Sequence, residues 1–395
     1  ADIERIDVSA RAGEQFYIRA VNIDPGINEA VDFRLTNLVS QSGNSLRVLG
    51  TEGNDNISFS AGNFYRLAVG GVDYSFSARQ IDNITIDGSG GQDTITLTGG
   101  NGNDNATLAV GTTVLQGSGY QVTATNFEDT TVRAGSGNDS GMAVIYDSVG
   151  NDTLVTTPDY TVLTGAGFSS RVEGFAGVLA SGAGGGTDTA QFFDSAGNDT
   201  FLATPTYSRM RGDGFYLRAK GFESVDVQAT AGGYDRAYLF DSAGNDNLQV
   251  SHDAVNLSGH GFSINIGNVE YVTARAAHGI DTAVFHTPAS GAQFNNTAGY
   301  ATLTGRGFSV RADSFDRVHT QSVSPSSVAQ ATVAQDTLTG EIRTDEETLK
   351  QVLAQSSPAE LYAYELARSR SQTDNDNGNE KHAHDHVLGQ LEDWT

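Results

Sequence analysis

Asp147-Ser148-Val149-Gly150-Asn151-Asp152, Asp194-Ser195-Ala196-Gly197-Asn198-Asp199 and Asp241-Ser242-Ala243-Gly244-Asn245-Asp246 are near-copies of one hexapeptide, spaced 47 residues apart. A fixed period in this range marks a repeat architecture in which each unit covers the apolar face of its neighbour. Other landmarks keep the same phase. A Gly-x-Gly-aromatic motif recurs at Gly117–Tyr120, Gly165–Phe168, Gly212–Phe215, Gly259–Phe262 and Gly305–Phe308, and an acid follows a glycine-rich turn at Asp93, Asp139, Asp188, Asp235 and Asp281.

Shifting the register by half a repeat places Gly221-Phe222-Glu223 over Gly197-Asn198-Asp199. The acids Asp104, Glu128, Asp152, Asp199, Glu223, Asp246, Glu270 and Asp316 then fall on a step of 23–24 residues, with two rungs skipped. This predicts an all-β fold, a right-handed parallel β-helix (β-solenoid) with 23–24 residues per coil and a 47-residue double-coil repeat. Segments such as Thr189–Phe193 and Phe215–Ala219 alternate and favour aromatic or β-branched residues, as strands do. A β-sandwich would also turn often, but it gives no reason for a 47-residue identity.

The expected organisation is an N-terminal cap or the end of a preceding module at 1–45, solenoid repeats at 46–319, a linker at 320–340, a helical segment at 341–370 and an acidic, His-containing tail at 371–395. The helices rest on the capping pattern Thr344-Asp345-Glu346-Glu347 and on Ser357-Pro358-Ala359-Glu360. The chain opens Ala1-Asp2-Ile3-Glu4, which leads us to expect a processed form or a part of a longer polypeptide.

With 23 Lys and Arg against 48 Asp and Glu, the formal charge is −25. This composition argues against nucleic acid and anionic membranes as partners. The absence of cysteine excludes disulfides and thiolate metal sites, and no apolar run is long enough to span a membrane.

The string Gly-x-Asp-Thr-Ala-x-Phe-x-Asp-Ser-Ala-Gly-Asn-Asp ending at Asp199, followed by the Gly212–Phe215 motif, resembles the strand-repeat regions of very large secreted bacterial surface proteins. These are grouped with hemolysin-type (RTX-like) calcium-binding repeats. The stretch Ala61–Phe76 resembles the start of such arrays, and the resemblance covers roughly residues 45–320. It implies an extracellular or cell-surface location, calcium-dependent folding and a structural or adhesive role. Single matches such as Gly99-Gly100-Asn101-Gly102-Asn103-Asp104 occur, without tandem nonapeptides.

The acidic turns are the candidate metal sites, because oxygen-rich turns of Asp and Asn suit Ca²⁺. The residues are Asp147, Asn151 and Asp152; Asp194, Asn198 and Asp199; Asp241, Asn245 and Asp246; and Glu223. The same residue types also take turn conformations and bond their own backbone without any metal. The motif aromatics read as core, with an exposed sugar-stacking strip as the alternative.

Expected partners are the chain itself, through head-to-tail or lateral assembly, or a surface carbohydrate. An enzyme is the alternative reading, a polysaccharide lyase or hydrolase with Asp188 and Asp235 at the equivalent turn, or pairs such as Asp194 and Asp199, as acid and base. Against it, every candidate acid is repeated, whereas catalysis needs one differentiated constellation. The arginines Arg209, Arg211, Arg218, Arg275, Arg306 and Arg311 are dispersed along the sequence, as are His252, His260, His278, His286 and His319. His382, His384 and His386 alternate in the tail.

Overall fold

A computed structural model describes residues 37–135, 141–288 and 291–323. The reading of residues 1–36, Asp139, residues 324–340 of the expected linker, the helical segment and the histidine tail falls outside the described residues.

Strands numbered in chain order from β1 (Val39–Ser42) to β31 (Arg317–Val323) form two sheets, sheet I with 16 strands and sheet II with 15. There is no helix among the described residues. The strands alternate inward apolar with outward polar residues, and the inward side chains of both sheets meet in one continuous core. Phe59, Phe192, Phe201 and Phe285 are its largest fully buried members. The fold is the expected β-solenoid, of about seven turns.

Each repeat uses five strands. In sheet II, β13 (Thr153–Thr156), β14 (Tyr160–Gly165) and β15 (Phe168–Glu173) form an antiparallel meander. The chain then crosses to β16 (Gly177–Ser181) in sheet I and returns to β17 (Thr189–Phe193) in sheet II. The next meander, β18 (Thr200–Ala203), β19 (Tyr207–Gly212) and β20 (Phe215–Lys220), lies in sheet I. The third, β23 (Asn247–Val250), β24 (Ala254–Gly259) and β25 (Phe262–Gly267), is back in sheet II. Successive repeats therefore place equivalent strands on opposite sheets.

The 47-residue repeat stands, and the structure revises the coil within it. Chain returns of 24 residues to the same sheet do occur, from β11 (Asp129–Arg133) to β13, but those two strands are not neighbours. The antiparallel β14 and β15 lie between them, and β15 pairs in parallel with β11, Asp129 opposite Ser169. Direct parallel partners stand about 35–40 residues apart, as in Thr153 opposite Thr189 and Thr189 opposite Ser224. The half-repeat register had counted a hairpin as a rung.

The Gly-x-Gly-aromatic motif is that hairpin. Its second glycine takes φ between +76° and +80° in all five copies, a conformation costly for a side chain. Its first glycine faces the aromatic across the turn: Gly212 pairs with Phe215, and a Cβ there would lie 2.3 Å from the ring. Tyr120, Phe168, Phe215 and Phe262 are buried in the core. They alternate between sheets and so form no single column.

Truncating such a ring leaves a cavity in a core that has no loop able to collapse into it. Phe215→Ala is expected to destabilise the protein by about 3–5 kcal/mol in chemical denaturation. An unchanged unfolding midpoint would show the ring to be dispensable to packing.

Candidate functional site: the acidic turns

The parallel strands that follow the acidic turns pose one problem where the chain enters the strand. The entering residue's backbone N–H lies beyond the last carbonyl of the ladder, and a buried N–H needs an acceptor. Here the acceptor is a carboxylate from the adjacent strand entry. The Asp152 N–H donates to Asp188 Oδ1 at 2.8 Å, and the Asp188 N–H donates to Glu223 Oε2 at 2.7 Å. Asp199, Asp235 and Glu270 repeat the relay at 2.8 and 2.9 Å, and Asp246, Asp281 and Asp316 at 2.7 and 2.9 Å. Asp55, Asp93 and Glu128 form an earlier copy.

The hexapeptide supplies the rest of the turn. Its last acid accepts from the backbone and hydroxyl of its serine: Asp199 Oδ2 takes Ser195 N at 2.7 Å and Ser195 Oγ at 2.8 Å, and the Gly197 N–H closes on the same hydroxyl. The asparagine reaches across to the neighbouring coil, Asn151, Asn198 and Asn245 each accepting through Oδ1 at 2.8 Å from Thr187, Tyr234 and Ile280 N–H. The first acid does likewise: Asp147 accepts from Gly184 N–H, Asp194 from Thr230 and Ala231, and Asp241 from Ala277.

The structure thus brings together the predicted acids of each hexapeptide and adds one that the metal assignment omitted. Asp147, Asp152 and Asp188 can each place one oxygen within 4.8 Å of the other two, as can Asp194, Asp199 and Asp235, and Asp241, Asp246 and Asp281. Asp188, Asp235 and Asp281 were visible as a periodic acid, yet nothing in the sequence shows that they join the preceding hexapeptide. Glu223 stands outside its triad as the acceptor for Asp188 N–H, and the three asparagines serve as backbone acceptors. The acids do not lie along one edge either: Asp152, Glu223 and Asp246 precede strands of sheet II, and Asp199 precedes β18 of sheet I.

Packing these carboxyls together raises their proton affinity. Burial pushes Asp235 up to about 7, with the charges of Glu270, Asp194 and Asp199 adding to it against the Asp199 N–H bond. Asp241 is pushed up to about 7 by burial and by Asp281 and Asp246. Burial also raises Asp147, Asp188, Asp199 and Asp281.

One oxygen of the last acid is paired in one copy and unpartnered in two others. Asp199 Oδ1 and Asp246 Oδ1 are buried without a hydrogen-bond partner, set against Gly212 with Phe215 and Gly259 with Phe262. In the earlier copy the aromatic is Tyr120, whose hydroxyl donates to Asp104 Oδ1 at 2.7 Å and accepts the Gly100 N–H at 3.0 Å. Gly100 occupies the position that Ser148, Ser195 and Ser242 hold in later copies. The turn hydroxyl comes either from the loop serine or from the hairpin tyrosine.

No protein-family profile matches the sequence, and no curated protein shows significant similarity to it.

Two outcomes follow from this geometry. Ser195→Gly is expected to cost about 1.5 kcal/mol by removing a bond to a buried carboxylate. Phe215→Tyr in that background is expected to restore part of it, with a favourable coupling in the double-mutant cycle; strict additivity would refute the exchange.

The raised carboxyls also set a pH dependence. Asp235 and Asp241 hold protons more tightly folded than unfolded, where aspartate titrates near 3.9. Their protonated forms favour the native state at low pH, and that contribution is lost as pH rises from about 4 through about 7. The melting temperature in chelator should therefore fall between pH 5 and pH 8, and Asp235→Asn should flatten the fall. A melting temperature that rises over this interval would contradict the raised pKa values.

Proposed function

We propose that this chain is a structural and adhesive segment of an extracellular or cell-surface protein, a β-solenoid that holds its turns rigid and spaces whatever it carries. The observation that carries the reading is the repetition of the acid relay itself. The same donor and acceptor atoms recur in the relays of Asp152, Asp199 and Asp246 at nearly the same distances, which is how a protein invests in a lattice. The resemblance to secreted surface repeats supports the location.

The triads fit Ca²⁺. Three hard carboxylate oxygens lie within reach of one another, and Ca²⁺ takes six to eight oxygen ligands in flexible geometry, completing its shell with water. The cation would offset the burial, and with it the lesser like-charge repulsion, that raises these carboxyls, tightening each hexapeptide onto the next coil. Candidate ligands are Asp147, Asp152 and Asp188 and their equivalents.

Thermal unfolding tests the cation. Millimolar Ca²⁺ is expected to raise the melting temperature over a chelated sample, since a hundredfold excess over Kd stabilises by about 2.7 kcal/mol. Asp199→Asn with Asp246→Asn should blunt the rise. NaCl at matched ionic strength should not reproduce it; if it does, the effect is screening and the triads are turn chemistry alone.

A further inference from the structure

The third strand of each meander takes a parallel neighbour on its outer side. β15, β20 and β25 are covered there by β11, β16 and β21 (Ser224–Gln228), and their inward side chains are buried. The first meander, β3 (Asn56–Ser60), β4 (Phe64–Val69) and β5 (Val72–Ser77), differs. β5 is the outermost described strand of sheet II, and its inward residues Val72, Tyr74 and Phe76 are only half-buried. An edge strand with an apolar inner side invites the addition of another strand. On sheet I this end is already extended: β1 pairs antiparallel with β2 (Ser45–Leu49), Val39 opposite Val48. The described strands accordingly number 16 in sheet I and 15 in sheet II, and the counterpart of β1 would lie beside β5.

The direction of the chain says what can reach that place. β1 begins beside the end of β2, at the edge where the chain leaves sheet I for β3. β5 runs parallel to β3, because β4 is antiparallel to both, so β5 also begins at that edge. A segment that precedes β1 and lies on sheet II must therefore finish beside Val72 and run antiparallel to β5. Three residues, Thr36, Asn37 and Leu38, separate Leu35 from β1. The four steps from Leu35 to Val39 span up to about 13 Å, enough to cross between sheets packed about 10 Å apart.

We propose that the outer edge of β5 is the docking site of this chain's own segment Val31-Asp32-Phe33-Arg34-Leu35, which adds antiparallel and closes the end of the core. The alternation supplies the match. With Leu35 set opposite Val72, Phe33 falls opposite Tyr74 and Val31 opposite Phe76, all on the inward side. The same register sets Arg34 opposite the exposed Asp73 on the outward side, a pair of opposite charges. A second copy stacked end to end is disfavoured. Within the chain β7 (Thr94–Thr98), the equivalent of β2, pairs in parallel with β3, and at β2 that place is held by β1. Another copy cannot continue sheet I while β1 stays. The segment is thus an edge guard that keeps sheet II from templating other chains. This inference rests on the fold and is independent of both the cation and the adhesive reading.

The chain has no cysteine, so an introduced pair can form only one disulfide within a molecule. Arg34→Cys/Asp73→Cys in the full chain, oxidised at low protein concentration, is expected to give a monomer whose disulfide joins positions 34 and 73 in a peptide map. Directly opposite residues on antiparallel strands lie within disulfide reach. Asp32→Cys/Asp73→Cys is two residues out of register and should link at least about tenfold more slowly. Separately, Phe33→Asp should speed hydrogen exchange of the β5 amides at least about tenfold while leaving those of β25 unchanged. The proposal is overturned if the 34–73 link does not form, if the out-of-register pair links equally well, or if β5 exchanges alike in wild type and Phe33→Asp. Links between molecules in place of links within one would also overturn it, by assigning the edge to a second copy. Faster exchange in β25 as well leaves the decision to the cysteine pairs.

Discussion

The repeated turns of the solenoid depend on a carboxylate accepting a backbone N–H just ahead of a strand, as at Asp152, Asp188, Asp199, Asp235, Asp246 and Asp281. Parallel ladders satisfy the peptide groups of neighbouring coils only while the strands run side by side. At the turns the chain departs and the ladder ends. Asp188 under Asp152, and Glu223 under Asp188, extend it by one more bond with side-chain oxygen in place of a carbonyl. The hexapeptide surrounds that bond with a serine that fixes the acid and an asparagine that fastens the loop to the adjacent coil. Its repeated spelling within the chain is the consequence, because the first acid, the serine, the asparagine and the last acid each make their own set of bonds.

Using acids for this purpose concentrates charge. An N–H donor favours ionisation while burial and neighbouring carboxylates oppose it, and for Asp235 and Asp241 the opposition prevails. The turns are thus well hydrogen-bonded and electrostatically loaded at once, which makes them responsive to protons and to divalent cations.

Much of this was legible in the sequence. The 47-residue identity of three hexapeptides announces a stack, and alternating segments such as Thr189–Phe193 announce strands. The coil was misjudged because acids recur at 24-residue intervals whether the chain advances by one rung or detours through a hairpin. The Gly-x-Gly pair was the available signal: a two-residue loop between alternating segments reads as a hairpin. The third acid of each triad could not be assigned, since Asp188 meets Asp152 only through a parallel pairing 36 residues long.

Each repeat makes an odd number of passages between the sheets, so β11 and its equivalent β16 lie on opposite sides of the core. The two faces of the molecule are therefore written in alternate repeats, and surface identity obeys a parity rule. Gain or loss of a single repeat would move every downstream strand to the opposite face, breaking any continuous surface while leaving each turn intact. Only changes by pairs of repeats would lengthen the molecule and keep its sides distinct.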